Sequence, residues 1–379
     1  MRIGIDVSWA QGPPSGTAVY VASLVEALLR RDDAAQHEWV LFTRGTPAPG
    51  LFPAASERHH VRCVSVDALL TNLRLQAGLP AAIRAARLDL YHAPAYFLPL
   101  ALPLVWRGPS VVGVFDLNFL RVREAWQTGR RAEYLSLSLQ VPVAAHQAAR
   151  VLTLSPHSAA DIARLLHVPR RKIAVIPAAP RALFRQAPDP QVVEAERAHY
   201  GAFILYVGAL SAQKNVERLV HALALLDDPT TRLVLVGQPA GDYVERVLLP
   251  LVGRYDLSSR VVFAGAVDDG TLRALYHAAL ALAYPSLGEG FGLPIVEAMT
   301  CGCPVVTSNL SSMPEVAGDA ALLVDPYAVD DLAAALDRVI HDDALCSDLT
   351  RRGRARAALY TWDAVAAQTL DLYHDVAAR

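Results

Sequence analysis

Two carboxylates lie eight positions apart in the stretch GEGFGLPIVEAM, residues 288–299, with glycines between them. Glu289 belongs to the glycine-rich turn, whereas Glu297 falls inside a helix that Pro294 is suited to begin and Gly302 to end. Glycines let backbone N–H groups approach a ligand closely, and a helix start adds positive potential. Carboxylates beside such a turn accept hydrogen bonds from vicinal hydroxyls. The segment therefore predicts a site for a ligand that has both phosphate and hydroxyl groups.

The position of Glu297 on its helix sharpens this expectation. At 100° per residue it lies about 200° around the helix from Ile295, opposite the apolar face. We therefore expect its side chain to face away from the packing, towards solvent or a ligand. It either complements the helix dipole, which is worth about 0.3–1 kcal/mol, or binds the hydroxyls of a ribose. The three glycines of the turn favour the second interpretation, and with it a sugar nucleotide.

Composition limits the classes of protein and partner. The chain has 379 residues, of which 53% are hydrophobic and 19% charged, and its formal net charge is −2. A chain of this length predicts two domains, and the near-neutral charge provides no field that attracts nucleic acid. An anionic ligand must therefore be bound by local groups, and no nucleic-acid partner is expected.

Three features predict a cytoplasmic protein. The four cysteines show neither paired C-x-x-C spacing nor a dense disulfide framework, which suits a reducing compartment. The opening residues MRIGIDVSWAQ have no apolar core typical of a signal peptide. The most apolar segment, 88–106, is interrupted by prolines, whereas a membrane helix needs roughly 20 uninterrupted apolar residues.

Short apolar runs alternate with longer amphipathic stretches, as in RIGIDVSW followed by TAVYVASLVEALLRR. This alternation predicts parallel sheets covered by helices. A proline-rich stretch at 177–191 interrupts it, so we predict an α/β protein with two doubly wound, Rossmann-like domains that face each other across a cleft. The predicted bounds are 1–185 for the first domain and 200–357 for the second, with a C-terminal helix at 358–379 that packs back on the first. Ligands of such folds bind at the carboxyl ends of the strands.

The stretch EGFGLPIVE resembles the E-x7-E signature of the family 4 glycosyltransferases, which are retaining enzymes with the GT-B fold. Other stretches resemble the same family along nearly the whole chain: GIDVSWAQGPPSGTAVYV, DLYHAP, VVGVFDLNFLR, VLTLSPHSAADI, ILYVGALSAQKNVERLVHAL, VVFAGAVDDGTLRALYHAA and SNLSSMPEVAGDAALLVDP. The resemblance implies a transferase that moves a hexose from a nucleoside diphosphate sugar to a hydroxyl acceptor.

The resemblance also implies roles for the two carboxylates. Glu289 is expected to contact the transferred sugar, and Glu297 to bind the ribose of the nucleotide. Main-chain groups of the turn are expected to face the sugar and the phosphates. Val267, at a strand end, is expected either to lie beside the nucleotide base or to belong to the hydrophobic core. The turn residues concerned are Gly290, Phe291, Gly292 and Leu293.

Lys214 follows the apolar strand ILYVGAL and opens the next helix. A lysine there sets a point charge beside a phosphate-binding helix start, although a solvated lysine is the simpler interpretation. By resemblance, Lys214 binds the diphosphate, and Gly208 at the strand end belongs to the same donor site. Ala209 and Gln213 stand where relatives often have arginine, so weaker donor binding is expected.

In the predicted first domain, Gly12 and Gly16 flank the residues PPS ahead of a helix that is expected to begin at Thr17. The spacing matches neither a dinucleotide fingerprint nor a P-loop. By resemblance alone, Gly16 and Thr17 close over the donor phosphates or the acceptor.

A second departure from the family lies at Phe115, where relatives usually have a histidine that contacts the reacting sugars. The loss of this histidine leaves Asp116 as the catalytic candidate of the domain, with His92 as a further polar group at the site. A satisfied core histidine is an equally good interpretation of His92. The replacement predicts an unusual acceptor or low activity.

The sequence has no D-x-D motif, so no divalent-metal clamp on a diphosphate is expected. Asp268 and Asp269 are more simply a helix-capping pair. The charge of a leaving diphosphate must then be balanced by Lys214 and by helix N-termini. We therefore expect metal-independent turnover without a further cofactor.

The leading hypothesis is a retaining glycosyltransferase that uses GDP-mannose or a UDP-sugar and a saccharide or lipid-linked acceptor, with peripheral contact at the inner face of the membrane in the second case. A nucleotide-sugar epimerase or phosphorylase on the same fold is the alternative enzyme. Phe115 favours a catalytically impaired nucleotide-sugar-binding protein, whereas the lack of a signal-like start disfavours a periplasmic sugar-binding protein. A dehydrogenase is the weakest alternative, because neither domain has the glycine fingerprint followed by an acid about 20 residues on.

Overall fold

The computed structural model describes residues 1–12, 15–46, 51–56, 60–66, 74–121 and 131–378. The chain forms two compact units. The first comprises Met1–Leu117, Leu135–Ala178 and Thr361–Arg379, and the second comprises Asn118–Tyr134 and Ala179–Tyr360. Pro13 and Pro14, which belong to the predicted glycine-flanked loop, lie outside the described residues.

Each unit contains one parallel sheet. The strands of the first unit are β1 Arg2–Asp6, β2 Glu38–Thr43, β3 Val61–Ser65, β4 Leu90–Ala93, β5 Ser110–Gly113, β6 Arg150–Thr153 and β7 Ile173–Val175. Those of the second are β8 Phe203–Val207, β9 Arg232–Val236, β10 Val261–Gly265, β11 Ala281–Tyr284, β12 Val305–Ser308 and β13 Leu322–Val324. The strand orders are β3-β2-β1-β4-β5-β6-β7 and β10-β9-β8-β11-β12-β13.

The α-helices are α1 Gly16–Arg30, α2 Pro53–Ser56, α3 Leu79–Ala86, α4 Leu102–Val105, α5 Asn118–Arg121, α6 Arg131–Gln147, α7 Pro156–Leu165, α8 Pro190–Tyr200, α9 Val216–Leu225, α10 Leu249–Arg254, α11 Asp269–Ala278, α12 Leu293–Cys301, α13 Met313–Ala317, α14 Val329–His341, α15 Asp343–Ala357 and α16 Trp362–Ala377. Short 3₁₀ helices lie at Ser8–Gln11, Asp32–Gln36, Arg170–Lys172, Ala182–Arg185 and Ala212–Lys214, and π-helical turns at Arg74–Gly78 and Val244–Leu248. Over the described ranges, no helix combines the length and the apolar character that a bilayer span requires.

Both sheets are doubly wound, because the strand order reverses between β1 and β4 in one and between β8 and β11 in the other. In open α/β sheets, ligands bind outside the carboxyl ends of the strands at this reversal. Strands β8 and β11 are in register with Leu205 beside Leu282, so the loops after Val207 and Tyr284 leave the sheet side by side. The predicted class, an α/β protein with two Rossmann-like domains, is confirmed.

The strand sequences account for this architecture. In β8, FILYV, and in β12, VVTS, successive residues rather than alternate ones are buried. Continuous buried runs of this kind need a parallel sheet that is covered on both faces. The alternation of apolar runs with amphipathic stretches in the sequence supplies the covering helices.

The final helix, α16, packs within the first unit, and the chain changes unit at Thr361. Trp362 lies against Tyr20 of α1, with their ring centroids 5.7 Å apart. The sequence predicts a helix over 358–379 that packs on the first domain, and in the structure this helix begins at Trp362.

The stretch predicted as a linker, 177–191, contains the passage from the first unit to the second, after Ala178. It is not irregular throughout, because a 3₁₀ helix forms at Ala182–Arg185. Asn118–Tyr134, which the predicted bounds assign to the first domain, groups with the second unit. The chain therefore passes between the two units several times, whereas a single linker implies one passage.

Candidate active site

The glycine-rich turn joins β11 to α12 over residues 285–292. Helix α12 has Pro294 in its first turn and ends at Gly302, whose φ of 80° is the left-handed conformation typical of a helix end. Both predicted helix signals are therefore confirmed. Gly292 has a φ of 105°, in which a residue with a Cβ is strained, so the turn depends on glycine at this position.

Three side chains meet beside this turn. Lys214 Nζ lies 2.5 Å from Glu289 Oε1, Tyr284 Oη donates to the same oxygen at 2.8 Å, and Lys214 Nζ donates to Tyr284 Oη at 3.0 Å. The lysine and glutamate side chains are only 19% and 12% exposed. A charge-assisted contact that is so poorly hydrated is stronger than a surface ion pair. The structure thus brings together Lys214 and Glu289, which lie on separate loops of the chain.

The strand order explains this meeting, because the two loops follow the neighbouring strands β8 and β11. The first loop contains the 3₁₀ helix Ala212–Lys214, after which Asn215 adopts the left-handed conformation with a φ of 62°. The buried amide of Asn215 donates to the carbonyls of Pro285 at 3.0 Å and Pro326 at 2.7 Å. Asn215 therefore connects the loop that contains Lys214 to the loop that contains Glu289 by a hydrogen bond.

The carbonyl of Gly288 accepts hydrogen bonds from two amide side chains. Asn118 Nδ2 and Gln213 Nε2 each donate to it at 3.1 Å. Gln213, which stands where the resemblance favours arginine, therefore fixes the main chain of the turn. The weaker donor binding expected from this replacement stays a prediction.

Two serines that the sequence analysis did not select hold the turn from another loop, between β12 and α13. Ser311 Oγ donates to the Glu289 carbonyl at 2.7 Å and accepts from its N–H at 3.2 Å. Ser312 Oγ donates to the Phe291 carbonyl at 2.9 Å. The stretch SNLSS was the available signal, but serines that act on main-chain groups look like ordinary loop residues in a sequence.

The start of α12 offers unsatisfied donors. Within the described residues, the main-chain N–H groups of Phe291 and Gly292 donate no hydrogen bond to the protein. Leu293 begins the helix, so these groups adjoin the positive end of its dipole. The Phe291 ring is buried edge-on against Tyr360, with centroids 5.4 Å apart, and Gly290 is buried beside it. This main chain is suited to an anion.

The prediction that Glu297 faces away from the packing is wrong. Its side chain is only 8% exposed, because α11 and the segment ahead of the 3₁₀ helix Ala182–Arg185 cover this face of α12. Tyr276 Oη donates to Glu297 Oε2 at 3.2 Å, and Arg181 Nε lies 3.9 Å from Oε1. Burial raises the pKa of the Glu297 carboxyl to about 7, against the lowering effect of Arg181. Helical periodicity did not indicate the burial of Glu297, because the residues that cover it, Tyr276 and Arg181, belong to other segments of the chain.

In the first unit, His92 is a core residue, which corrects its assignment to a substrate site. It is fully buried on β4, and its Nδ1 lies 2.6 Å from Tyr373 Oη of α16. Burial lowers the pKa of the imidazole to about 3, so the ring is neutral at physiological pH. Of the two interpretations of His92, the structure favours the hydrogen-bonded core histidine.

Phe115 is likewise buried, with 5% of its surface exposed. Its ring packs edge-on against Tyr20 and Tyr96, at centroid distances of 4.7 Å and 5.7 Å. The neighbouring Asp116 is half-buried and accepts a hydrogen bond from Tyr96 Oη at 3.3 Å. The residue that replaces the expected histidine is thus committed to aromatic packing, and the catalytic role of Asp116 stays a prediction.

The remaining candidates lie at the ends of elements. Helix α1 begins at Gly16, one residue before the predicted Thr17. Gly208 follows β8 with a φ of 152°, and Val267 is half-buried two residues after β10. Each position is compatible with its predicted role at a ligand, and these roles stay predictions.

The two aspartates at the start of α11 have different partners. Asp268 accepts from the N–H groups of Gly270 at 2.9 Å and Thr271 at 3.0 Å, which confirms a helix cap. Asp269 instead binds Arg181, with 2.6 Å between Oδ1 and Nη1. In the part of the chain that the structure describes, no three His, Cys, Asp or Glu side chains are grouped so as to hold a metal ion.

Comparison with known proteins gives the site a family context. The model described as Glycosyl transferases group 1 matches residues 193–356, and the model described as Glycosyltransferase Family 4 matches residues 14–179. The chain is 33% identical to the O-antigen chain mannosyltransferase B of Escherichia coli over 299 residues, which are 77% of this chain and 76% of that protein.

Solved structures agree in fold. A sucrose-phosphate synthase from Thermosynechococcus elongatus superposes with a TM-score of 0.79 at 27% identity, covering 100% of this chain and 99% of that one. Anabaena HepE, solved in complex with UDP and glucose, superposes with a TM-score of 0.74 at 21% identity, covering 99% and 100%. The protein therefore belongs to the group 1 and family 4 glycosyltransferases, and it is an enzyme that transfers a glycosyl group.

Proposed function

We propose that the protein transfers a hexose from a nucleoside diphosphate sugar to a hydroxyl group of a saccharide, with retention of configuration at the transferred carbon. The observation that supports this best is the contact between Lys214 and Glu289 at the strand reversal of the second unit. A cation and a hydroxyl-binding carboxylate lie side by side there, next to the start of α12. A nucleotide sugar has phosphates and hydroxyls that match this set of groups.

The proposed mechanism uses these groups for charge and position. Lys214 and the N–H groups of Phe291 and Gly292 balance the charge that develops on the leaving diphosphate. Glu289 accepts hydrogen bonds from the transferred sugar, and Glu297 binds the ribose. Retention follows if the acceptor attacks the face that the diphosphate leaves, so that the departing phosphate oxygen takes the acceptor's proton. The protein then contributes orientation and exclusion of water.

The similarity to a mannosyltransferase supports mannose as the transferred sugar. We therefore propose GDP-mannose as the donor, with UDP-sugars as the alternative, and a saccharide or a lipid-linked saccharide as the acceptor. A lipid-linked acceptor requires peripheral contact with the inner face of the membrane. The four cysteines form no disulfide, which suits a cytoplasmic enzyme.

The test uses EDTA-treated protein with GDP-mannose and UDP-glucose in turn, with a mannose oligosaccharide as acceptor. We expect acceptor-dependent release of GDP, an anomeric proton signal in the product that matches the configuration of the donor, and no increase in rate with manganese. Because Lys214 and the helix start supply the positive charge, no metal or other cofactor is needed. A requirement for manganese contradicts the metal-free mechanism, and an inverted product contradicts retention.

Two alternatives give different results in the same assay. An epimerase alters the sugar of the donor without any acceptor. A nucleotide-sugar-binding protein with impaired turnover, which the buried Phe115 favours, is stabilised by GDP or UDP against heat but releases no nucleotide in response to an acceptor.

Tyr284→Phe tests the hydroxyl that bridges Lys214 and Glu289. The substitution removes one hydrogen bond to each charge, so at about 1 kcal/mol per hydrogen bond we expect kcat to fall about 30-fold. Tyr206→Phe is the matched control, because this neighbouring buried tyrosine donates to the Ala209 carbonyl at 2.8 Å instead. Equal losses in the two variants contradict the bridging role.

A further inference from the structure

Arg181 lies just past the passage between the two units and is held by two partners. Its Nη1 is 2.6 Å from Asp269 Oδ1, and its guanidinium carbon lies 4.9 Å above the ring of Phe184. Only 21% of its side chain is exposed. An arginine with an ion-pair partner and an aromatic platform is fixed in orientation.

This fixed guanidinium faces Glu297. Arg181 Nε is 3.9 Å from Glu297 Oε1, which is too long for a hydrogen bond, and Nε is a buried donor without a partner among the described residues. Tyr276 Oη donates to the other carboxylate oxygen at 3.2 Å. A buried donor without a hydrogen-bond partner costs free energy, and this donor lies beside a buried carboxylate.

Burial and the nearby guanidinium have opposite effects on the charge of the Glu297 carboxyl group. A buried carboxyl group tends to be neutral, and the pKa of Glu297 is accordingly raised to about 7 by desolvation, with Arg181 as the first opposing influence. The groups that act on the Glu297 carboxyl are Arg181, Tyr276 and Asp269. Other titratable groups near it on the elements packed around α12 include Arg273 of α11, Tyr284 of β11, Cys301 of α12 itself, and Arg354 of α15 at Gly302. Arg181 is the one cation of this set in contact with Glu297.

We propose that Arg181 is a positioning residue of the donor site: its guanidinium favours the ionised form of the buried Glu297 and orients the carboxylate for the hydroxyls of the nucleotide ribose. The inference rests on the proposed role of Glu297 in binding the donor. An ionised carboxylate accepts hydrogen bonds at both oxygens, whereas the protonated group has one oxygen committed as a donor. Charge-assisted bonds to the ribose are therefore lost when Glu297 is protonated.

The proposal makes nucleotide affinity depend on pH through Glu297. Ionisation of this carboxyl rises as pH passes 7, so the native protein is expected to bind GDP or UDP more tightly up to about pH 8 and equally tightly above it. In Arg181→Met the opposing charge is gone, so the same transition moves to higher pH. A shift of one unit lowers the ionised fraction about tenfold below the transition.

The experiment measures dissociation constants of GDP and of UDP by titration calorimetry between pH 6.5 and 9, on the full-length native protein and on Arg181→Met, Arg181→Lys and Glu297→Gln. At pH 7, which is the midpoint of the native transition, Arg181→Met is expected to bind about fivefold more weakly than the native protein, and at pH 9 to bind with nearly native affinity. Arg181→Lys keeps the charge and is expected to follow the native profile. At saturating donor and pH 9, kcat of Arg181→Met is expected to match that of the native enzyme.

The control is Arg273→Met, which removes another guanidinium that contacts the same segment, through the Leu183 carbonyl at 3.2 Å, whereas the cation in contact with the Glu297 carboxylate is Arg181. It is expected to leave the pH profile unchanged. A native-like profile in Arg181→Met overturns the inference, as does an Arg181→Lys profile that is shifted as far as that of Arg181→Met. If Arg181→Met does not melt cooperatively, Arg181→Gln, which also removes the charge, takes its place with the same expected shift.

Failure of the inference and failure of the proposed function are distinguishable. If Glu297→Gln weakens binding of GDP or UDP but Arg181→Met has the native profile, only the role of Arg181 is wrong. If Glu297→Gln binds both nucleotides as the native protein does, or if the native protein binds neither, the ribose role of Glu297 fails and the inference fails with it.

Discussion

Replacing Glu289 by glutamine is expected to lower kcat by about 10²–10³-fold, the size of effect that follows the loss of one preorganised electrostatic contact. The carboxylate has two fixed partners, Lys214 Nζ at 2.5 Å and Tyr284 Oη at 2.8 Å. Glutamine keeps the volume but not the charge, so it neither anchors the ammonium nor accepts strongly from a sugar hydroxyl. Interactions that strengthen in the transition state appear in kcat rather than in KM alone. Nucleotide release at saturating donor and acceptor measures the effect.

The matched control is Glu194→Gln, which changes an exposed glutamate of α8 in the same unit. It is expected to have native kcat and a native melting temperature. A Glu289→Gln enzyme that folds and turns over at the native rate contradicts the assignment of this carboxylate.

The second large effect is expected for Lys214→Met, with a loss of about 10²–10³-fold in kcat/KM for the donor. The loss has two sources: the diphosphate loses its cation, and Glu289 is left charged and mostly buried without its partner. Because the two residues act as one unit, the double variant Lys214→Met/Glu289→Gln is expected to lose about as much activity as either single variant. A complete double-mutant cycle, with kcat/KM for all four proteins, measures this coupling.

The chain provides a control for the lysine, since Lys172 is its other lysine. Lys172 lies in the first unit, where its ammonium donates to the His146 carbonyl at 2.8 Å. Lys172→Met is expected to leave kcat/KM unchanged. Multiplicative losses in the double variant contradict a coupled pair.

Much of the site was predictable because its residues lie at the ends of strands. The glycine spacing and Pro294 indicated the turn and the helix start, and the alternation of apolar runs indicated the doubly wound sheets. Lys214 and Glu289 were both expected at strand-to-helix loops. Their contact follows from the adjacency of β8 and β11, which depends on strand order and not on any local pattern.

The features that were missed depend on contacts between distant segments. Helical periodicity describes one face of α12, so it could not reveal that Tyr276 and Arg181 enclose Glu297 from the other side. Tyr284 looks like a core residue of a buried strand, and only its hydroxyl, at the end of β11, gives it a polar role. The sequence was compatible with both interpretations of His92, because its hydrogen-bond partner, Tyr373 of α16, is distant in sequence.

The central claim is that the loops after β8 and β11 of the second unit hold the nucleotide sugar. Hydrogen–deuterium exchange of the full-length protein, with and without saturating GDP and then UDP, tests it most directly, because a bound ligand slows exchange where it orders the main chain. We predict slower exchange in peptides covering 208–217 and 286–300. Protection confined to the first unit, with these two segments unchanged by a nucleotide that binds, would contradict the claim.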